Sequence, residues 1–134
     1  MAKQNLAVME RLFAALADRT RLRLLNLIAE QEVCVCYFVE ILQAPQPTIS
    51  RHLAYLRRNG LVAARREGKW MHYRMAVPEN RLARQVLKDV LSWLADDREM
   101  QRERARLNRA CCAPQKFTRL LGAPLPAPAG EPGP

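Results

Sequence analysis

The sequence predicts a mainly α-helical domain with a small β-hairpin, arranged as a winged helix-turn-helix with five helices and a two-stranded wing. Apolar residues recur at helical spacing over most of the first 110 positions. A short Pro-containing turn at residues 44–47 separates two of these helical stretches. Two strand-like segments flank Gly68, as in a hairpin. A chain of 134 residues suits a single domain of this kind.

The first two helices are predicted from their apolar stripes. Asp18 is a residue type that caps helix N-termini, so the second helix should begin just after it. The stripes contain Leu6, Met9, Leu12, Phe13 and Leu16 in the first helix, and Leu22, Leu25 and Ile28 in the second.

A third, short helix and a fourth helix follow on the two sides of the turn. The third is expected from Val33 to Leu42, and the fourth from about Pro47 to Asn59, with Pro47 acceptable in its first turn. Gly60 should end the fourth helix as the residue after its C-cap. The buried stripe of the fourth helix is predicted to contain Ile49, Leu53 and Leu56.

The wing and the last helix complete the domain. Leu61–Glu67 and Trp70–Met75 are predicted strands. The last helix should open at residues 78–80 and continue to about Arg109. A helix of that length is longer than a core of this size can cover, so its apolar face is expected to meet a partner subunit. The alternative is that this face covers the body of its own subunit. That face contains Leu82, Val86, Leu87, Val90, Leu91, Trp93 and Leu94.

A change in composition marks the C-terminal end. Residues 113–134 contain six of the nine Pro and three of the five Gly. We therefore divide the chain into a winged helix-turn-helix domain at 1–110 and a Cys-bearing, mostly disordered tail at 111–134, with Gly122 to Pro134 the least ordered part.

The charge is concentrated in one stretch. The net charge is +9, and the segment from residue 51 to residue 74 contains seven Lys or Arg but a single acid, Glu67. A confined basic surface is typical of a protein that contacts nucleic acid phosphates, although a solvated basic face is the alternative. The chain has no apolar run of membrane-spanning length and no secretory leader pattern, so we expect a cytoplasmic protein that binds no membrane and keeps its four Cys as thiols.

Polar residues near the start of the fourth helix and at the tip of the wing are the candidates for DNA contact. In a helix-turn-helix, side chains near the N-terminus of the second helix reach base edges in the major groove, and the hairpin lies along the backbone or the minor groove. The candidates are Gln46, Thr48, Ser50, Arg51 and His52 on the helix, and Arg65, Arg66 and Lys69 on the wing.

Three segments together resemble the ArsR/SmtB family of metal-responsive repressors. Ala15–Leu25 is similar to the opening segment of the family, Gln46–Leu56 to its recognition helix, and Gly60–Arg74 to its wing. The resemblance implies a homodimer that binds an imperfect palindrome in double-stranded operator DNA and represses its own operon until an inducer binds. One departure is Pro45, which stands where a capping residue is common and leaves the recognition helix without its usual side-chain cap.

The pair Cys34 and Cys36 is similar to the Cys-Val-Cys signature of the family's arsenite-responsive members. Thiolates are the preferred ligands of soft As(III) and Sb(III), which are the predicted inducers; no organic cofactor is expected. On a regular helix, residues two apart face about 200° away from each other, so one ion could bridge the pair only if the start of the third helix unwinds. The family's third thiol position is occupied here by Val39, and the remaining thiols are Cys111 and Cys112, which could complete the site from either subunit or form a separate one.

Other interpretations stay open at this point. The Cys residues could be core hydrophobes, a redox switch or ligands of Cd or Pb, and the protein could be a winged-helix DNA-binding protein that senses nothing. A structural zinc site is disfavoured because the two His, His52 and His72, do not pair at zinc-ligand spacing. The sequence contains no phosphate-binding Gly loop and no nucleophile motif, so we expect no enzymatic activity.

Overall fold

The computed structural model describes residues 2–112 and 124–128 of the chain. Six helices and four strands form in this part of the chain. In order they are α1 (Ala2–Leu16), α2 (Arg19–Ile28), β1 (Gln31–Cys34), α3 (Val35–Leu42), α4 (Gln46–Arg58), β2 (Val62–Glu67), β3 (Trp70–Met75), α5 (Arg81–Asp96), α6 (Arg98–Cys112) and β4 (Ala127–Pro128). The strands form one antiparallel sheet in the order β2-β3-β1-β4.

The helix-turn-helix and the wing confirm the predicted winged-helix fold. Asp18 caps α2 by accepting a hydrogen bond from the backbone N–H of Arg21. The stripe of α4 is fully buried against α2 and α3, and Pro45 provides no side-chain cap, as the sequence indicated. Gly60 and Gly68 both have positive φ, at the end of the recognition helix and at the wing turn, where glycine adopts the left-handed conformation without strain.

A strand not predicted from the sequence, β1, precedes α3. We expected Val33 and Cys34 to open the third helix; instead they lie in extended backbone, and α3 begins at Val35. The reason is long-range pairing, because Val33 and Cys34 stand opposite Tyr73 and His72 of the wing strand β3. The wing is therefore one edge of a sheet that includes the Cys34-bearing strand.

The single long C-terminal helix is also corrected. It is broken at Asp97, whose backbone is extended with φ −78° and ψ 133°. The Asp97 side chain accepts a hydrogen bond from the N–H of Met100 and so caps α6. The capped second half turns back onto α2 and α3, where Met100, Leu107 and Ala110 are buried.

The predicted tail falls mostly outside the described residues. Of the segment from Gly122 to Pro134, the structure describes residues 124–128, where Ala127 and Pro128 pair with Glu32 and Gln31 of β1. Within the described ranges, no helix is both long enough and apolar enough to cross a lipid bilayer.

Candidate metal centre and nucleic-acid interface

Cys34 and Cys36 lie side by side. The Cys36 thiol donates a hydrogen bond to the sulfur of Cys34 over an Sγ–Sγ distance of 3.3 Å. The prediction that the two thiols face apart was wrong, because Cys34 is the extended N-cap of α3 and not a residue within a helix. Since 3.3 Å is less than twice a metal–sulfur bond of about 2.3 Å, one ion can bond both sulfurs with no unwinding of α3.

The pKa values of the two thiols are shifted in opposite directions. The hydrogen bond from Cys36, opposed by burial, lowers the pKa of Cys34 to about 7. The same hydrogen bond, together with burial and the charge of Cys34, raises the pKa of Cys36. One thiolate is thus available near neutral pH, and it is the deprotonated form that binds soft ions.

Cys111 shares its surroundings with this pair. It is half-buried on α6 and packs against the same core as Cys36. Burial and the charges of Cys111, Cys36 and Cys34 raise the pKa of Tyr37 to about 12, so all three sulfurs act on one phenol. The Tyr37 hydroxyl is fully buried and has no hydrogen-bond partner among the described residues.

In the described part of the chain, no three His, Cys, Asp or Glu side chains already converge at ion-binding distances. Cys34, Cys36 and Cys111 are thiols and form no disulfide. The structure therefore contains a preformed pair with Cys111 nearby. The side chain of Cys112, the other predicted ligand, lies outside what the structure describes.

Polar contacts hold α6 on its own subunit. Arg23 of α2 donates to the carboxylate of Glu103 at 3.0 Å, and the Glu103 side chain is only 4% exposed. Asn26 donates from its side-chain amide to the Met100 carbonyl at 3.0 Å and accepts at 2.8 Å from Arg104.

A second acidic residue, Glu32, joins the thiol-bearing strand to the wing. Its buried carboxylate lies 2.7 Å from the guanidinium of Arg65 and 3.7 Å from that of Arg74. His72 lies 3.9 Å from the same carboxylate, and its Nε2 has no hydrogen-bond partner among the described residues. The wing is thus tied to β1 by side chains as well as by backbone pairing.

The polar residues of α4 that we predicted to contact DNA lie off its buried apolar stripe. Gln46 and Arg51 are exposed, while Thr48 and Ser50 are half-buried on the flank of α4. Their positions in the first two turns of α4 are those from which side chains reach base edges.

His52 occupies a different environment. Its Nδ1 lies 3.4 Å from a guanidinium nitrogen of Arg21 and 3.8 Å from the carboxylate of Asp18. Arg21 also donates to the carbonyls of Ala14 and Ala15 and lies over the Tyr55 ring at 4.4 Å. These contacts give His52 a part in joining α4 to the start of α2.

The predicted DNA-contacting residues of the wing also differ in whether they are free for DNA or engaged within the protein. Arg66 and Lys69 are exposed, and the Lys69 ammonium lies 5.0 Å from the centre of the Trp70 ring. Arg65 is engaged with Glu32 and with Glu67, so it faces a cost in lost ion pairs if it turns toward DNA.

Sequence reasoning missed two residues at these sites, Glu32 and Tyr37. Glu32 lies between the predicted second and third helices, and Tyr37 lies within the predicted third helix. The role of Glu32 depends on the pairing of β1 with the wing, and the role of Tyr37 depends on the packing of α6 against α3. No local sequence pattern encodes either contact. An acid and a phenol next to two thiols were the available signal.

The family profile described as "Bacterial regulatory protein, arsR family" matches residues 18–64, which contain β1, the thiol pair and the recognition helix. The chain is 39% identical over 103 residues to the arsenical resistance operon repressor of Escherichia coli strain K12, covering 76% of this chain and 86% of the relative. This chain belongs to the ArsR family of transcriptional regulators.

Further comparisons agree with the ArsR assignment. The chain is 43% identical over 90 residues to the arsenic resistance transcriptional regulator ArsR1 of Pseudomonas putida, with 63% of this chain and 70% of the relative covered. The solved structure of HlyU from Vibrio cholerae matches with a TM-score of 0.58 and 28% identity, over 67% of this chain and 95% of HlyU. The relatives from Escherichia coli and Pseudomonas putida are named as a repressor and a transcriptional regulator, not as enzymes, in agreement with the predicted lack of catalytic activity.

Proposed function

We propose that this ArsR-family chain is a repressor that binds operator DNA as a homodimer and is released when As(III) or Sb(III) binds its cysteine thiolates. The observation that carries the proposal is the contact of Cys34 and Cys36 at 3.3 Å, with one thiol's pKa lowered to about 7. Soft trivalent metalloids bind thiolates in preference to oxygen or nitrogen ligands. The names of the relatives from Escherichia coli and Pseudomonas putida support the same inducer class.

The position of the pair suggests how inducer and DNA compete. Cys34 ends β1, which pairs with the wing strand β3, and Cys36 lies in α3, which packs on the recognition helix α4. An ion bonded to both sulfurs links β1 to α3, and each of these elements contacts one of the DNA-reading elements. If the ion binds the DNA-free arrangement more tightly, linkage requires that it weaken DNA binding by the same factor.

The DNA-contacting set proposed here comprises the exposed or flanking polar residues of α4 and the wing tip. Arg51 has the forked guanidinium that pairs with guanine, and Arg66 and Lys69 are placed for phosphates. Arg65 and His52 are assigned supporting roles because both are engaged within the protein. The full set is Gln46, Thr48, Ser50, Arg51, His52, Arg65, Arg66 and Lys69.

The homodimer is supported by an uncovered apolar face on α1 and α5. Phe13 and Trp93 are 51% and 79% exposed, and both line a groove between these helices and α2. Leu6, Met9 and Leu82 extend the exposed apolar surface. Trp93→Glu would bury a charge in such an interface, so this variant is expected to sediment as a monomer.

A thiol redox switch is the second candidate, because a lowered pKa beside a second thiol also favours disulfide formation. Cadmium and lead are alternative ions for the same pair. One titration separates these functions.

The test is fluorescence anisotropy of a labelled fragment from the promoter upstream of this gene. Arsenite, antimonite, cadmium and zinc are added separately in reducing buffer, and diamide is added in a parallel sample without reductant. Release by arsenite or antimonite alone supports the proposal. Release by cadmium alone or by diamide alone would replace it with one of the alternatives, and binding that no addition affects would contradict any sensing role.

A further inference from the structure

We propose that each protomer completes its metalloid site with its own Cys111, so that Cys34, Cys36 and Cys111 of one chain bind one trivalent ion beneath the hydroxyl of Tyr37. The inference rests on the proposed function and specifies its third ligand. It differs from a site shared between subunits and from a separate site at Cys111 and Cys112.

The first argument is the fixed position of α6. Three buried or half-buried contacts attach it to its own subunit, through Glu103 to Arg23, through Met100 to Asn26, and through the Arg106 guanidinium to the Ile41 carbonyl of α3. Ala110, the residue before Cys111, is completely buried. The helix that carries Cys111 is therefore docked beside the helix that carries Cys36 in the same subunit.

The second argument is the unpartnered phenol. A buried hydroxyl without a hydrogen bond is unfavourable and calls for an explanation, since such groups are nearly always paired. Tyr37 follows Cys36 directly in α3, and Cys36 and Cys111 both pack against the core in which Tyr37 is buried. An arsenic-bound sulfur keeps a lone pair and would offer the Tyr37 O–H the acceptor it lacks.

The chemistry is a ligand exchange. Arsenite reacts as As(OH)₃, and each thiol that bonds to arsenic supplies the proton with which one hydroxide leaves as water. Three As–S bonds form, three As–O bonds break and three waters are released, while arsenic remains trivalent. Because no three ligands converge in the described part of the chain, the Cys111 side chain at the end of α6, beyond the buried Ala110, must shift toward the pair as the third bond forms.

The experiment compares two probes on full-length protein with Cys111→Ser and, as the matched control one residue along, Cys112→Ser. Arsenite has three exchangeable positions, whereas phenylarsine oxide keeps its As–C bond and offers two. We expect Cys111→Ser to weaken arsenite binding by at least about tenfold, as losses at metal sites commonly do. It should retain phenylarsine oxide binding, which shows that the Cys34 and Cys36 pair is folded and reactive. Cys112→Ser should bind both probes as the unmodified chain does.

Subunit origin and the role of Tyr37 are tested separately. A heterodimer with Cys34→Ser and Cys36→Ser in one protomer and Cys111→Ser in the other contains a complete site only if ligands cross between subunits, so we expect no tight arsenite binding. Tyr37→Phe should weaken arsenite binding by about tenfold. Tight binding by the heterodimer, unchanged affinity in Cys111→Ser, or a loss in Cys112→Ser instead would overturn the inference. Failure of the unmodified chain to bind either probe would contradict the proposed function itself.

Discussion

The carboxylate of Glu32 lies 2.7 Å from the guanidinium of Arg65, so the strand that ends in Cys34 is ion-paired to the wing that is proposed to contact DNA. Glu32 is buried, and Arg74 and His72 approach the same carboxylate. Arg65, a predicted DNA contact, therefore also holds the wing against β1.

Glu32→Gln should therefore loosen the wing. The neutral amide keeps the size of the side chain but removes the charge that Arg65 and Arg74 share, so we expect unfolding at a lower urea concentration and weaker operator binding. Glu30→Gln is the control, because the Glu30 side chain is 85% exposed and its contact with Arg104 is 3.9 Å long. Equal stability of the two variants would show that the Glu32 pair does not contribute to folding.

Arg51→Ala and Arg66→Ala should weaken DNA binding in different ways. If Arg51 reads a base, its loss should cost about 1–3 kcal/mol on the operator and relax specificity at one position. Arg66 is the proposed phosphate contact, so Arg66→Ala should weaken binding to all sequences. It should also reduce the slope of the logarithm of the binding constant against the logarithm of salt concentration by about one. Competition with mutated operators at several salt concentrations measures both. An unchanged sequence preference in Arg51→Ala would reassign that residue to the backbone.

Cys34→Ser should bind the operator but resist release by arsenite. Cys34 is the N-cap of α3, and serine is a favourable N-cap residue, so the fold should be retained. The variant lacks one sulfur of the pair and cannot form the two-thiolate chelate. Anisotropy before and after arsenite is the measurement, and release at the unmodified protein's arsenite concentration would exclude Cys34 as a ligand.

The thiolate titration should show the asymmetry of the pair. The pKa of Cys34 is lowered to about 7, so ultraviolet absorbance from one thiolate should appear as the pH rises through 7, below the ordinary thiol range. Because the folded-state pKa is the lower one, this thiolate stabilises the fold above the unfolded-state pKa, and that contribution is lost as pH falls through about 7. Cys36→Ala removes the hydrogen-bond donor and should move the transition upward. A transition that stays in place would show that Cys36 does not stabilise the thiolate.

Arg23→Leu should destabilise the protein more than Arg19→Leu. The first leaves the buried carboxylate of Glu103 without its nearest partner, although Arg106 remains 4.0 Å away, a loss of about 3 kcal/mol. The Arg19 and Glu99 side chains are 78% and 50% exposed, and such surface pairs contribute about 0–1 kcal/mol. Urea unfolding of the two variants measures the difference. Similar values would mean that α6 is held mainly by its apolar face.

The sequence by itself determined the helices, the recognition stripe, the wing and the Cys-Val-Cys pair. The helices and the stripe follow from local periodicity, the helix ends from the capping residues Asp18 and Gly60, and the thiol pair from neighbouring residue types. A window of a few residues is sufficient to find each of them. The departure at Pro45 was visible in the same way, since a cap depends on one position.

Tertiary structure alone decided how the thiols meet. Cys34 is extended because it pairs with β3, about 40 positions along the chain. Cys111 lies on the same side of the subunit as Tyr37 because the helix ends at Asp97 and the ion pair between Glu103 and Arg23 holds α6 against α2. No local pattern contains these distances, because hydrogen bonds and ion pairs between remote segments have no period in the sequence. The geometry that lets two sulfurs approach to 3.3 Å is therefore a property of the sheet, not of the motif.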